Sequence, residues 1–462
     1  MTRYFLLAFL LVLSGCGGSS DSRALKNSVA ALQEKALQDQ TAWILLESLT
    51  TEVGSRMGGS QGDAKAVTWA RQKMKELGFD RVWLEFVEFP RWVRNSETGS
   101  ILGNEAIPLD LTALGGSPGT SGLLQGEIVH YENLEALEAA TPEEVEGKIV
   151  FISERMERHQ SGAGYATVRQ RSRGPFVASR KGALALLIRS VGTDYDGVPH
   201  TGMISGSEEG DPVPSAALSH PSADHLAQAL AAGVPVSVEM NLDCGFEGKA
   251  VSQNVIGEFD GSGDSGEFVI IGGHLDSWDL GTGAIDDGTG VSITMAAAKL
   301  VADQETRPPR GIRVVLFANE EQGIYGGKAY AAAHADELDT HIIGAESDLG
   351  SGRIYQFKSR VSEESAPLID ELTKLLSPLN IPYNRESQAS GGADIGQMRK
   401  LGMAVIDLNH DASYYFDLHH TRNDQLDRVN PADLQFNVAA YVTFIQWAAS
   451  TDAKFGPVPT SE

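Results

Sequence analysis

The chain has 462 residues, 42% of them hydrophobic and 21% charged, and a formal net charge of −25. That length is too great for one ordinary domain and predicts about two to three. The composition is that of a soluble globular protein, and the acidic balance excludes a nucleic-acid binder, since nothing here would neutralise phosphates.

The chain opens MTRYFLLAFLLVLSGCGGSS. One arginine, Arg3, precedes an apolar run from Tyr4 to Leu13. That run falls short of the ~20 residues needed to span a bilayer, so it reads as a secretory signal. Leu13-Ser14-Gly15-Cys16 resembles a bacterial lipoprotein signal. The resemblance implies cleavage before Cys16 and acylation of its thiol, with membrane contact through that lipid only. Gly17, not aspartate, follows Cys16, which in a double-membrane bacterium implies the outer membrane. An envelope protein facing the periplasm or the cell surface is expected. Residues 1–16 are then signal, and the Gly/Ser tract opens a flexible tether over 17–40. Cys244 is left without a partner, so no disulfide is expected and Cys244 reads as a small buried hydrophobe.

Residues from about 27 to 50 look helical. Ser60 and Asp63 form a capping-box-like start, after which Val67, Ala70, Met74 and Leu77 share one face at helical spacing, and Gly78 stands where that helix should end. Val82, Leu84 and Phe86 alternate with their neighbours, predicting a strand over 81–89 that runs into Pro90. The texture changes in LGGSPGTSG near 115–122. From there to Gly248 come strand-like IVFI and ALALLI, then VPSAALS, the helix-like ADHLAQALAAG and the alternating PVSVEM. This block, 116–248, is expected to be an inserted α/β domain between two parts of a main domain, 41–115 and 249–455. In the second part, Phe268–Ile271, Ile312–Ala318, Ile342–Ala345 and Ala404–Leu408 are short apolar runs separated by helix-like stretches. That alternation predicts an α/β fold with a mainly parallel mixed sheet flanked by helices. Pro431 opens a last helix, with Leu434, Val438, Tyr441 and Ile445 on one face.

The chemistry gathers at the ends of those runs. GGHLDSWD carries His274 and Asp276, GAIDDGTG carries Asp286, FANEEQG carries Glu320 and Glu321, AESDLG carries Asp348, and HHTRND carries His420. Alone, a His-x-Asp pair is most often a surface pair and an Asp-Asp-Gly a turn. Together, three strand ends bring histidine and carboxylate side chains to the edge where open α/β sheets bind ligands. Imidazole and carboxylate without thiolate suit zinc in an open catalytic site. Two zinc ions bring four positive charges; Asp286, Glu321 and Asp348 remove three, and an ionised Glu320 a fourth. Such a site would activate water, with Glu320 relaying the proton to a leaving amine.

These segments resemble the zinc exopeptidases of the aminopeptidase and glutamate carboxypeptidase group, over most of the chain from about Leu49. The stretch VGSRMGGSQGDAKAVTWARQKMKELGF is similar to the group's first helix and its lead-in, and block 116–248 resembles a protease-associated domain. The resemblance implies that His274 and Asp348 complete one zinc site, that Glu321 and His420 complete the other, and that Asp286 bridges them. It makes Glu320 the general base and Asp276 the carboxylate that orients His274, and it implies a cis bond between Asp286 and Asp287. His420, not His419, fits the group's His-Thr-x-x-Asp pattern, with Asp424 closing it. His410 with Asp411 shapes a pocket or satisfies a loop; Gly391-Gly392-Ala393-Asp394 reads first as a flexible loop, and the resemblance implies that it borders the substrate pocket. Dipeptides or short peptides with a free amino end are the expected partners, and a homodimer stays open. Three other readings share the scaffold: a carboxypeptidase, a glutaminyl cyclase and a non-catalytic receptor-like module. A complete ligand set with its base counts against the last two.

Overall fold

A computed structural model describes residues 18–205 and 210–460. The signal segment and Cys16 lie outside the described residues. The expected tether does not extend through 17–40: a helix occupies Gly18–Ala36. The glycines and serines cover only its first residues, after which Leu25, Val29, Leu32 and Ala36 recur at helical spacing. Val29, Leu32 and Ala36 are buried, and the helix packs along Pro431–Ala449. Gln33 Nε2 anchors it by donating to Leu375 O and to Thr443 Oγ1, both at 2.9 Å. Among the described residues no helix is long and apolar enough to cross a membrane.

The helix Gln61–Glu76 starts as its sequence predicts, with Ser60 Oγ accepting from Asp63 N at 3.2 Å. Strand β1 is longer than expected, Arg81–Ile101, and passes straight through Pro90. A register shift falls between Pro90 and Trp92, and β1 pairs along its length with only one long neighbour, so a missing N–H there costs little. After it come β2 (Ile107–Pro108), β3 (Leu111–Ala113), β4 (Leu124–Tyr131), β5 (Ile149–Ile152), β6 (Ala185–Arg189) and β7 (Ser215–Leu218). The chain then returns along β8, Ser237–Phe259, antiparallel to β1 from Val238 opposite Ile101 to Glu258 opposite Arg81.

This ladder changes the meaning of the Gly/Ser/Pro stretch. β1 and β8 carry one continuous sheet past this stretch, and residues 115–122 are packed in place. Trp92 Nε1 donates to Ser117 O at 2.9 Å, and Ser117 Oγ accepts from Ser215 N at 2.8 Å. Between the two long strands, β4, β5, β6 and β7 form a parallel set with β3 antiparallel on its edge.

Beyond β8 follow β9 (Phe268–His274), β10 (Gly311–Phe317), β11 (His341–Glu346), β12 (Ile354–Arg360) and β13 (Val405–His410). The four runs read from the sequence become β9, β10, β11 and β13. They lie side by side and parallel in the order β13-β11-β9-β10, with β12 and β8 antiparallel on the flanks. β9, β10 and β11 are buried throughout, as strands covered on both faces must be. The helix Thr289–Ala302, buried at every residue but Lys299, covers one face together with Pro431–Ala449. Parallel order puts the carboxyl ends of β9, β10 and β11 at one edge, which is where the motifs sit.

Candidate metal centre

β9 ends on His274 itself. A Cβ at Gly273 would stand 2.3 Å from Asp287 Oδ2, so glycine here lets that carboxylate reach the backbone. Asp287 Oδ2 accepts from His274 N and its Oδ1 from Gly290 N, both at 3.1 Å. Past β10, Asn319 adopts a left-handed backbone (φ 51°), as do Ile324 (φ 59°) and His420 (φ 61°). Such angles are unfavourable for these residue types, most of all for a β-branched isoleucine, and they turn Glu320, Glu321 and His420 toward one point. The Asp286–Asp287 peptide is cis. Asp424 fixes its approach, accepting from Ile285 N at 2.7 Å and from Asp286 N at 3.1 Å.

The five expected ligands converge. His274 Nε2 lies 3.1 Å from Asp286 Oδ1 and 3.5 Å from Asp348 Oδ1. His420 Nε2 lies 2.9 Å from Glu321 Oε2 and 3.3 Å from Asp286 Oδ2. Asp286 thus faces one imidazole with each oxygen. Both rings have a settled tautomer: His274 Nδ1 donates to Asp276 O at 3.1 Å and His420 Nδ1 to Thr201 O at 3.3 Å. A carbonyl can only accept, so in the neutral rings each Nε2 carries a lone pair aimed at the cluster. His419 is close too, stacked on His420 at 3.5 Å and 3.6 Å from Asp286 Oδ2, but its Nδ1 is buried without a partner.

Asp276 meets His274 through two oxygens: its main-chain oxygen accepts from Nδ1, and its carboxylate Oδ1 lies 3.6 Å from the same nitrogen. That carboxylate accepts from Glu320 N at 2.9 Å and Glu321 N at 3.3 Å, so Asp276 ties the β9 end to the β10 end. His410 and Asp411 do not reach the cluster. His410 Nδ1 donates to Gly352 O at 3.0 Å, burial pushes its imidazole down to about 4, and Asp411 accepts from Gln160 Nε2. The Gly391–Asp394 turn does not line the cavity either; its amides at Ala393, Asp394 and Ile395 clasp the Glu346 carboxylate.

The electrostatics are those of a site built for cations. Burial disfavours charge on Asp286, yet His274 and His420 outweigh it and hold the carboxyl well below its usual range. Burial, reinforced by Asp348 and Glu321, drives Glu320 well above its own. Burial opposes a charged His420, but Glu321 and Asp286 raise it to about 9. Asp286 Oδ2 and Glu321 Oε1 are buried with no hydrogen-bond partner. Orphaned carboxylate oxygens beside imidazoles whose Nε2 atoms bear lone pairs once deprotonated, with ligand atoms of His274, Asp286 and Glu321 within 4.8 Å of one another, fit zinc and leave no role for a thiolate.

The cluster opens, with His274 buried behind it, into a cavity of about 240 Å³ lined by Glu320, by Asp286, Glu321, Asp348, His419 and His420, by Leu349, Tyr415 and Phe416, and by Tyr165, Arg171 and Met203 from the lobe between β1 and β8. The sequence motifs did not reveal the last three. Nor did they reveal the role of Arg56, fully buried, whose guanidinium donates to Leu275 O, Gly54 O, Thr282 O and Gly283 O and so braces both the His274 and Asp286 segments. Its only sequence signal was its place in the stretch that leads into the helix Gln61–Glu76.

A family model described as peptidase family M28 matches residues 254–445. Carboxypeptidase Q of Bos taurus is 32% identical over 399 residues, 86% of this chain and 82% of that protein. The Homo sapiens protein of the same name is 32% identical over 400 residues, with the same coverage, 86% and 82%. The crystal structure of a peptidase M28 precursor from Shewanella amazonensis superposes with a TM-score of 0.91 at 43% identity, covering 95% of this chain and 99% of that one. A zinc aminopeptidase from Bacillus subtilis shares the fold, with a TM-score of 0.64 at 19% identity over 91% of this chain and 97% of its own.

Proposed function

This chain belongs to peptidase family M28, and on that premise we propose that it is a two-zinc exopeptidase acting on dipeptides or on the first residue of short peptides. The ligands in this reading are His274 and Asp348 for one ion and Glu321 and His420 for the other, with Asp286 between them. The observation that carries it is the meeting of Asp286, Glu321, Asp348 and His420 with Glu320 on a single small cavity at the strand ends, with His274 packed against Asp286 and Asp348 behind them.

When bound, the ions lower the pKa of a water molecule and polarise the scissile carbonyl. Glu320 accepts the proton that this water gives up and returns it to the departing amine. Asp276 keeps Glu320 and Glu321 in register by holding both amides, and Arg56 keeps the His274 and Asp286 loops together. Leu349, Phe416 and Met203 exclude water around the reacting bond. A cavity of about 240 Å³ holds little more than two small residues, which favours chain ends over chain interiors.

The test is hydrolysis of a panel by zinc-loaded protein lacking residues 1–16, followed by mass. Free and C-amidated dipeptides are expected to be cut and N-blocked ones spared. Glu320→Gln should lower kcat by about 10²- to 10⁴-fold with zinc content unchanged. Cleavage of N-blocked peptides would replace the amino-end reading with carboxypeptidase action, and ring closure of N-terminal glutamine peptides would select a cyclase.

A further inference from the structure

Of the five expected ligands, His420 alone has a left-handed backbone (φ 61°). The φ and ψ of a residue orient the peptide groups before and after it, so holding both carbonyls holds the residue. For His420 both are held from the lobe between β1 and β8. His419 O accepts from His200 Nδ1 at 2.7 Å, and His420 O accepts from Thr201 N at 3.1 Å. The ring is held by the same segment, through the bond of its Nδ1 to Thr201 O at 3.3 Å.

His200 is itself fixed in place. It is 1% exposed. Its Nδ1 faces a carbonyl, which can only accept, so this nitrogen carries a proton. Its Nε2 meets Asp194 Oδ1 at 2.7 Å, and its main-chain N donates to Ser190 Oγ at 2.9 Å. A Cβ at Gly192 would stand 2.4 Å from the ring's Cε1 and Nε2, so glycine leaves the ring its space. Other bonds join the lobe to the loop that carries His420, such as Thr193 Oγ1 to Asp417 Oδ1 at 2.7 Å and Asn423 Nδ2 to Asp196 Oδ2 at 3.0 Å. They join side chains and do not touch the peptide between His419 and His420. By contrast, His274 takes its bonds from Asp276, Asp286 and Asp287, all beyond β8 in the chain.

We propose that His200, aimed by Asp194, is a positioning residue for the ion of Glu321 and His420, so that the lobe between β1 and β8 completes one metal site of the two. The other, of His274 and Asp348, is left to the strand ends. A left-handed backbone at a residue other than glycine persists only where its surroundings over-determine it. The bond from His200 supplies that constraint on the side where the chain enters His420. Without it the imidazole is free to turn from Glu321 and Asp286, which it meets at 2.9 Å and 3.3 Å. The identity and number of the ions rest on the two-zinc reading; the hold on the His420 backbone does not.

The experiment withdraws zinc from loaded protein with graded chromophoric chelator, comparing the unsubstituted chain with His200→Ala, His200→Asn and Thr193→Ala. His200→Ala should weaken one ion of the two by about 10- to 100-fold, the usual effect of losing a group that orients a ligand, and leave the other in place. His200→Asn, whose amide nitrogen can stand in for Nδ1, should recover most of that loss. Thr193→Ala, which breaks only the bond to Asp417, should keep both ions. Weakening of both ions alike in His200→Ala, or of neither, would overturn the proposal. So would a loss in Thr193→Ala as large as in His200→Ala, since any loosening of the loop would then suffice. Fewer than two zinc ions on the unsubstituted protein would sink the two-zinc reading instead. His200 is then judged without reference to zinc, by the imidazole N–H resonance of His420 in protein as isolated with nitrogen-labelled histidines, assigned by its loss in His420→Gln. That resonance should vanish or broaden in His200→Ala and persist in Thr193→Ala; its persistence in both would overturn the proposal.

Discussion

Two buried polar clusters lie on the main sheet, and they differ in how their bonds are completed. In the first, Arg313 on β10 stands opposite Glu258 on β8, donating to its Oε2 at 3.0 Å, and donates also to Tyr330 Oη at 3.0 Å. Tyr330 Oη in turn donates to His341 Nε2 at 2.9 Å, and His341 Nδ1 reaches Glu337 O at 3.1 Å. No buried side-chain atom of these residues lacks a partner. In the second cluster, at the strand ends, Asp286 Oδ2, Glu321 Oε1 and His419 Nδ1 all lack one. Both are rich in charge and both are buried; only one closes on itself. A closed network is a structural device, and an open one waits for a ligand.

The sharpest way to break that contrast is Asp286→Asn. It preserves shape but removes the charge between two imidazoles and replaces one acceptor with a donor. Zinc affinity, followed by competition with a chromophoric chelator, should fall by more than about 100-fold, beyond the loss typical of outer partners. The rise in Tm that zinc gives the unsubstituted protein should vanish with it. Full zinc retention by this variant would mean that the open cluster is not a metal centre.

The closed cluster should respond in stability alone. Glu258→Leu leaves Arg313 buried beside an apolar group and should cost about 3–5 kcal/mol in urea unfolding, with zinc content unchanged. Adding Arg313→Met should restore much of that loss, because the pair is then gone from both sides. A zinc deficit in either variant would show that the clusters are coupled through β10.

The smallest effect is a pH slope. Burial pushes His341 from 6.5 down to about 3. Between those values the unfolded chain binds a proton that the native one does not. Stability therefore falls as pH drops below 6.5, by at most about 1.36 kcal/mol per unit for this group. Unfolding at pH 7 and 5.5 should show His341→Gln losing about 1.3 kcal/mol less than the unsubstituted protein. Equal losses would mean that His341 is charged in the native network.

The parallel core was legible because its strands are short apolar runs and its motifs follow them directly: Phe268–Ile271, Ile312–Ala318 and Ile342–Ala345 each lead into a ligand. The lobe boundary was not legible. Glycine, serine and proline near 115–122 signal a turn, and nothing local distinguishes a linker from a loop docked under Trp92 and Ser215. Likewise Gly17 to Ser20 read as a tether because composition shows local chain stiffness, whereas the helix from Gly18 is held by burial of Val29 and Leu32 against Pro431–Ala449. β1 passed its expected end for a related reason, since a proline is tolerated on an edge whose partner is set by the distant β8.

What the sequence determined alone was chemical identity and order: which side chains can bind a cation, that Glu320 precedes Glu321, and that a sheet of alternating βα units would bring three of the motifs to one edge. Tertiary structure decided the rest, because it depends on groups far apart in the chain meeting through space. It set the backbone oxygen of Asp276 as well as its carboxylate beside His274, and gave that carboxylate the amides of Glu320 and Glu321. It used Arg56 to brace loops more than two hundred residues away, and it brought Arg171 from another lobe to the cavity wall. Local pattern records the period of a strand or helix and the donor types along it. Which carbonyl, amide or charge lies opposite each one is set only when the lobes pack.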